Sequence, residues 1–163
     1  MSELKNSNLK NMNTGILKKN ACIVLVKTEW NAAIVDQLEL GCIAELEKNG
    51  IRKIIVITVP GAVEIPFTIR RYWERSDKKS HPDAFIALGC VVKGDTPHFD
   101  YVCHIVSEGV LQLNLSLPVP VIFGVLTVDN EQQAIARTGG IHGHKGEEAA
   151  LTAIKMIKLN SDF

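Results

Sequence analysis

Short apolar runs recur along the chain at lengths that suit buried strands. Four of them stand out, at residues 21–26, 53–59, 84–88 and 121–128. They are rich in Val and Ile and carry few polar residues, which is typical of strands covered on both faces of a parallel sheet. The pattern therefore predicts four buried strands.

Between the runs, apolar residues recur with the spacing of helices. The first such segment has one apolar face, formed by Ile34, Val35, Leu38, Cys42 and Leu46. Asn31 is placed to cap this helix, and residues 49–50 end it where left-handed backbone is easily adopted. Further helices are predicted from Pro66 to about residue 74, from Pro97 to about residue 117, over residues 130–136, and from about Lys145.

Four alternations of strand and helix predict the fold class. We expect an α/β protein, a three-layer α/β/α arrangement with a flavodoxin-like, four-stranded parallel sheet in the order 2-1-3-4. Sites in such sheets lie at the carboxyl ends of the strands, where the strand order reverses. Here that crevice brings Trp30 towards residues 92–98, with Val63 and Glu64 alongside. An aromatic face, a carboxylate, an anion site and a histidine would converge there, which suits a flat polar heterocycle handled together with a phosphorylated molecule.

Composition sets the domain organisation. The chain has 163 residues, 46% of them hydrophobic and 22% charged, which is enough for one well-buried domain. We place that domain at residues 21–163. Residues 1–20 are rich in Asn, Lys and Ser, so we expect them to be mobile or ordered only against a partner subunit.

Charge and cysteine usage exclude several classes of protein. The formal net charge is zero and no basic stripe alternates with aromatic residues, so a nucleic-acid partner is not expected. No apolar run reaches the length of a membrane span, and the N-terminus lacks the core of a signal peptide. The four cysteines have no C-x-x-C spacing, so we expect neither a metal site nor disulfides, but reduced thiols in the cytoplasm.

The segment between the third strand and its helix has the residues of an anion site. The hydroxyl of Thr96 can cap the helix, and Pro97 suits its first position. Backbone N–H groups around Gly94 to Thr96 would then be free at the positive end of the helix, with Lys93 beside them. These features predict a site for a phosphate or another anion.

His98 lies in the first turn of the same helix. The positive helix end disfavours the imidazolium, so we expect a neutral ring that can accept a proton, although a bound phosphate would favour the opposite. The alternative is a helix cap followed by a partly exposed histidine without a catalytic role. The neighbouring glycine, lysine and buried strand favour an anion site beside an acid/base.

Four motifs, in this order along the chain, resemble those of the 6,7-dimethyl-8-ribityllumazine synthase family. They are residues 61–66 (GAVEIP), 94–101 (GDTPHFDY), 120–127 (PVIFGVLT) and 131–137 (EQQAIAR). The resemblance runs from about residue 21 to residue 157. It implies the penultimate step of riboflavin biosynthesis, in which 5-amino-6-(D-ribitylamino)uracil condenses with 3,4-dihydroxy-2-butanone 4-phosphate. Phosphate and water are released, and neither a metal nor an organic cofactor takes part.

The resemblance also implies roles for particular residues. His98 matches the residue that moves protons, and Asp95 and Thr96 match the phosphate-binding turn. Pyrimidine binding is implied for Trp30, Ala62, Val63, Glu64, Cys90, Val91 and Val92. Val63 and Cys90 depart from the family pattern, which more often has an aromatic residue and a threonine at these positions.

Three further residues match positions that the family supplies from the adjacent subunit. They are Phe123 for the pyrimidine, Arg137 for the phosphate and Lys145 in support. Phe123 lies near the start of its predicted strand, away from the crevice of its own chain, so a contact across an interface is natural. The resemblance thus implies a homo-oligomer, a pentamer or a 60-mer of twelve pentamers.

Taken singly, these residues admit simpler readings. Trp30 could be a core or interface aromatic, Glu64 could favour a helix start, Arg137 could be a solvated helix residue and Phe123 could be core. Two other classes of function also stay open. One is a related protein that binds flavin or lumazine without catalysis, or a riboflavin-synthase-like relative of the same fold; the other is a chiefly shell-forming protein. Retention of His98 and Arg137 favours catalysis, because a binding protein needs no proton shuttle.

Overall fold

The computed structural model describes residues 20–163, so most of the predicted N-terminal segment at residues 1–20 lies outside the described part. The main sheet has four strands: β1 (Cys22–Thr28), β2 (Lys53–Val59), β3 (Ala84–Val92) and β4 (Val121–Val128). The helices are α1 (Ala32–Lys48), α2 (Ile65–Arg75), α3 (His98–Ser116), α4 (Glu131–Ile135) and α5 (Lys145–Ser161). A 3-10 turn, Ala62–Glu64, leads into α2, and two short strands, β5 (Thr138–Gly140) and β6 (Gly143–His144), precede α5.

The strand order of the main sheet is β2-β1-β3-β4, with all pairs parallel, which confirms the predicted topology. In the middle of the sheet Val26 pairs with Ile57 on one side and Ala87 on the other, and Ala87 in turn pairs with Phe123. The order reverses between β1 and β3, as expected.

Two apolar cores lie on opposite faces of the sheet. The core on one face joins the strands to α1 and α5, and includes the predicted helical face of α1. The other core joins them to α2 and α3. Helices thus cover both faces, and the buried residues of β1 and β3 have little polar character for that reason.

Helices α1 and α5 approach each other closely at two glycines. A β-carbon on Gly41 would overlap the ring of His144, and one on Gly146 would overlap the backbone carbonyl oxygen of Leu38. His144 also caps α5, because its Nδ1 accepts a hydrogen bond from the N–H of Gly146 (3.2 Å). Glycine is required here by the close contact between helices.

Two of the predicted helix caps are wrong. Asn31 does precede α1, but in left-handed backbone (φ 57°, ψ 42°) and without a capping side-chain hydrogen bond. Thr96 does not cap α3, which begins at His98 after Pro97 and has no side-chain cap. The competing partner for Asn31 is a carbonyl in β3, which the local sequence does not reveal.

The third strand and the segment before α5 also differ from expectation. Strand β3 continues four residues beyond the predicted end at Leu88, since β4 pairs with it as far as Val92. Residues 138–144, a glycine-interrupted segment for which the sequence predicts only a turn, form an antiparallel hairpin. Among residues 20–163, no helix is both long and apolar enough to cross a membrane.

Candidate active site

A cleft of about 490 Å³ opens at the carboxyl edge of the main sheet. It lies where the strand order reverses, between the segments that follow β1, β2 and β3. The structure thus brings together Trp30, Val63, Glu64, Val92 and His98, the convergence expected from the sequence.

The segment after β1 contributes a large exposed aromatic side chain. Trp30 is 73% exposed although it is held by its backbone: its N–H donates to the carbonyl of Pro60 (3.3 Å), and its carbonyl accepts from Thr28 Oγ1 (3.2 Å). An indole left in solvent on a restrained loop offers a flat surface for stacking.

The segment after β2 forms the 3-10 turn of Ala62, Val63 and Glu64. Glu64 Oε2 accepts a hydrogen bond from the N–H of Gly61 (2.9 Å), which fixes the side chain at the mouth of the cleft. Ala62 is buried, whereas Val63 is 37% exposed and contributes apolar surface. The turn therefore presents one restrained carboxylate beside an apolar wall.

The end of β3 forms the back wall through Cys90, Val91 and Val92. Cys90 is buried, and burial raises the pKa of its thiol to about 11. The thiol is therefore neutral at physiological pH and serves as a small apolar group, with no nucleophilic thiolate.

The turn between β3 and α3 is open to solvent. Gly94, Asp95 and Thr96 are exposed, and no other described residue forms a hydrogen bond with their N–H groups or side chains. They precede the N-terminus of α3, which has no side-chain cap. Free donors at the positive end of a helix favour an anion.

His98 is the first residue of α3 and lines the cleft. Its ring is exposed and has no hydrogen-bond partner among the described residues. An imidazole that is free and faces the cleft can exchange protons with a bound molecule.

The residues that the resemblance assigns to the adjacent subunit lie elsewhere. Phe123 and Lys145 line a second groove, of about 270 Å³, which shares no lining residue with the cleft. Arg137 is next to it, because its carbonyl accepts a hydrogen bond from the N–H of Lys145 (2.8 Å). Arg137 Nη1 donates to the carbonyl of Gln133 (2.7 Å), which orients the guanidinium.

Lys145 is an unexpectedly buried cation. It is only 4% exposed, and its Nζ is 2.7 Å from Glu148 Oε1, one turn along α5. A lysine at the positive end of a helix is unfavourable, and the carboxylate of Glu148 compensates it. The second groove thus combines an aromatic ring with a paired buried charge.

Several cleft residues were missed in the sequence, notably Thr28, Asn31 and Val102. Asn31 could have been found from its place beside Trp30 at the predicted crevice. Thr28 and Val102 have no distinguishing pattern in the sequence. Within residues 20–163, no group of three or more His, Cys, Asp or Glu side chains is arranged to hold a metal ion.

Comparisons with known proteins agree with this geometry. The family model described as 6,7-dimethyl-8-ribityllumazine synthase matches residues 20–161. A protein of that name from Parabacteroides distasonis is 48% identical over 85% of this chain and 86% of its own length. Those from Bacteroides fragilis (49% identical, 82% and 92% covered) and Cytophaga hutchinsonii (47%, 82% and 82%) are similarly close. The fold, the cleft at the switch point and these matches together show that the chain belongs to the 6,7-dimethyl-8-ribityllumazine synthase family.

Proposed function

We propose that this protein is a transferase that condenses 5-amino-6-(D-ribitylamino)uracil with 3,4-dihydroxy-2-butanone 4-phosphate to form 6,7-dimethyl-8-ribityllumazine. The observation that carries the proposal is the convergence of Trp30, His98 and the open turn at residues 94–96 around one cleft. A stacking surface, a proton carrier and an anion site are the three groups that this reaction requires.

The pyrimidine binds between Trp30 and the end of β3. Its ring stacks on the indole, and its polar edge meets the backbone of residues 90–92. Glu64, held by Gly61, accepts hydrogen bonds from the ribityl hydroxyls, and Ala62 and Val63 contact the apolar parts. This arrangement presents the amine of the pyrimidine to the second substrate.

The phosphate of the second substrate binds at Asp95 and Thr96, where the backbone donors of the turn are free. Arg137 of a neighbouring copy completes this site, because its planar fork matches a phosphate in a way that lysine cannot. The carboxylate of Asp95 is exposed, so it can turn into solvent when the anion binds.

Catalysis then consists mainly of placement and proton transfer. The amine attacks the ketone and one water leaves as the imine forms. Phosphate is then eliminated, and a second water leaves when the ribitylamino nitrogen attacks the remaining carbonyl carbon and closes the ring. Orientation of two bound reactants can supply about 7–11 kcal/mol of the barrier. His98 moves the protons, and general acid–base catalysis of this kind raises the rate of a reaction about 10²–10⁴-fold. These steps are additions to carbonyl carbons and eliminations of water and phosphate, with no net change of oxidation state, so the proposal includes no metal ion and no redox cofactor.

We further propose that the working site lies between two copies of the chain. Support comes from the separation of the cleft and the second groove, which share no lining residue within one chain. Phe123, Arg137 and Lys145 would then complete the cleft of the next copy. A closed ring of five copies places every cleft against a second groove, and twelve rings could form a shell.

Four thiols that are all unpaired in the structure support a reducing compartment, so we propose the cytoplasm as the place of action.

Complementation between two impaired variants tests the shared site. Differently tagged His98→Ala and Arg137→Ala chains are co-expressed, and mixed assemblies are isolated by both tags. Lumazine formation is followed by fluorescence at a low concentration of the butanone phosphate. Arg137→Ala alone should raise KM for that substrate about 10- to 100-fold, because a charge-assisted contact is lost.

In mixed rings, about a quarter of the clefts combine an intact His98 with an intact Arg137 from the neighbour, as random assembly requires. Activity should therefore exceed the average of the two parent variants. Activity equal to that average would place both residues in one chain's own site. An inactive wild-type protein would refute the proposed reaction.

A further inference from the structure

The loop that carries Trp30 is fixed by an asparagine with an unusual backbone. Among the described residues, Asn31 is the one non-glycine residue with positive φ (57°). Asparagine tolerates this left-handed conformation better than most residues, but the conformation is uncommon in any residue other than glycine. Left-handed backbone at a cleft is retained where the surrounding contacts require it.

The side chain of Asn31 makes the contact that accounts for this conformation. Its Nδ2 donates to the carbonyl oxygen of Cys90 at 2.7 Å, across 59 residues of sequence. The pairing of β1 with β3 ends at Lys27 and Leu88. The side-chain amide of Asn31 therefore donates a hydrogen bond to β3 beyond the point where the pairing of β1 with β3 ends.

Trp30 is thus held from two sides. On the β2 side, the N–H groups of Glu29 and Trp30 donate to the carbonyls of Val59 (2.8 Å) and Pro60 (3.3 Å). On the β3 side, the tether from Asn31 reaches Cys90. The carbonyl of Asn31 also accepts from Ile34 (2.9 Å) and Val35 (3.1 Å), which attaches the loop to the first turn of α1.

We infer that Asn31 is a positioning residue that sets the gap between the indole of Trp30 and the backbone wall of β3, and thereby the affinity for a flat heterocycle. The inference deepens the proposed function and rests on it for the identity of the heterocycle. Asn31 acts through Trp30, so its contribution should disappear when the indole is absent.

Three substitutions separate the tether from the backbone conformation. Asn31→Gly keeps the left-handed backbone and removes the tether. Asn31→Asp keeps the size and the tolerance of positive φ but cannot donate to Cys90. Asn31→Ala loses the tether and strains the backbone. If the tether matters, the glycine and aspartate variants behave alike.

The first readout needs no reaction. The chain has two tryptophans, Trp30 and Trp73, so a Trp73→Phe background leaves Trp30 as the single tryptophan, which is excited selectively at the red edge of its absorption. Asn31→Gly and Asn31→Asp should lower the anisotropy of Trp30 and raise its quenching by acrylamide, with the melting temperature compared in parallel. Unchanged anisotropy and quenching in both variants would overturn the inference.

The second readout separates the two substrates. Asn31→Gly should raise KM for the pyrimidine about 3- to 10-fold, the loss expected for one hydrogen bond, and change KM for the butanone phosphate less than about twofold. In a Trp30→Ala background the same substitution should change neither constant. An equal effect with and without the indole would overturn the inference. If no variant and no wild-type protein is active, the proposed reaction fails, and the fluorescence alone decides whether Asn31 positions Trp30.

Discussion

At the scale of single residues, the exposure of His98 distinguishes a chemical role from a structural one. The ring has no hydrogen-bond partner among the described residues, so its removal breaks no hydrogen bond within that part of the fold. We expect His98→Ala to lower kcat about 10²–10⁴-fold. Its free energy of unfolding should change by less than about 0.5 kcal/mol.

His104 provides a matched control for His98, because it is also exposed and lies on the same helix. Because His104 lies beside the exposed Tyr101 and Ile105 of α3, kcat is compared in fractions of matched mass, and there His104→Ala should retain the wild-type kcat. An equal loss of kcat in the two variants would contradict a specific role for His98.

A buried thiol makes the stability of the protein depend on alkaline pH. Burial raises the pKa of Cys42 from 9.0 to about 12. Above about pH 9 the thiol ionises in the unfolded chain but stays protonated in the fold, so the folded state binds more protons there. The free energy of unfolding should therefore fall as the pH rises from about 9 towards 12, by up to about 1.4 kcal/mol per pH unit from this group.

Urea unfolding under reducing conditions checks this prediction through the Cys42→Ala variant. The substitution also loses packing, so the slopes of stability against pH are compared rather than the absolute values. A shallower slope in the variant is expected. Identical slopes would mean that Cys42 does not contribute to the pH dependence.

The sequence was sufficient to predict most of the residues that line the cleft, but not their hydrogen bonds or their burial. Trp30, Glu64 and His98 were found because the ends of neighbouring parallel strands converge, which topology alone determines. The tether of Asn31 and the burial of Lys145 were not found. The tether depends on a contact with a segment that is distant in the sequence. The spacing of Lys145 and Glu148 indicates that they can pair along a helix, but it does not indicate that Lys145 is buried.

At the scale of elements, the contact between α1 and α5 is tightly constrained by a glycine. Gly146 faces backbone atoms of α1, including the carbonyl of Leu38, which cannot rotate aside as a side chain can. We expect Gly146→Ala to destabilise the protein by about 1–3 kcal/mol, because the helices must separate to admit the methyl group. The gain in helix propensity, about 1 kcal/mol at most, is smaller.

Gly94→Ala is the control for stability, since a β-carbon there would meet no atom within 4 Å. The urea midpoint of unfolding is measured for both variants, and only Gly146→Ala is expected to lower it. A wild-type midpoint for Gly146→Ala would show that the helices can part without cost.

Element boundaries were predicted well where they depend on local residues. Asn130 caps α4 by accepting from the N–H of Gln133 (3.0 Å), and Gly50 takes left-handed backbone (φ 86°) after α1. The third strand was predicted to end at Leu88, immediately before Gly89, which was too early. In the structure its missing side chain instead leaves room for Thr28 and Val125, and the strand continues.

At the scale of the whole molecule, α3 has apolar residues on two opposite faces. Val106, Val110 and Leu113 face the sheet. The other face has Tyr101, Ile105, Leu111 and Leu115, exposed and within an arc of about 120°. A helix that is apolar on both sides is typical of burial between two bodies, which supports assembly through α3.

Light scattering should therefore give a mass that is a multiple of five chains. Leu115→Lys, at a side chain 74% exposed in the single chain, should shift the mass towards the monomer and lower activity with it. Leu40→Lys, at a leucine 61% exposed on α1 in the opposite layer, serves as the control and should retain the assembly. A monomeric wild type that is fully active would contradict the shared site.

The open turn at residues 94–96 has a consequence for how turnover ends. In the proposed function its free N–H groups would recognise an anion by charge and size, features that a phosphate ester and orthophosphate share. The proposed reaction consumes the first and liberates the second at the same place. Orthophosphate is thus expected to be a product inhibitor that competes with the butanone phosphate. The rate of turnover would then depend on how fast orthophosphate dissociates from the turn.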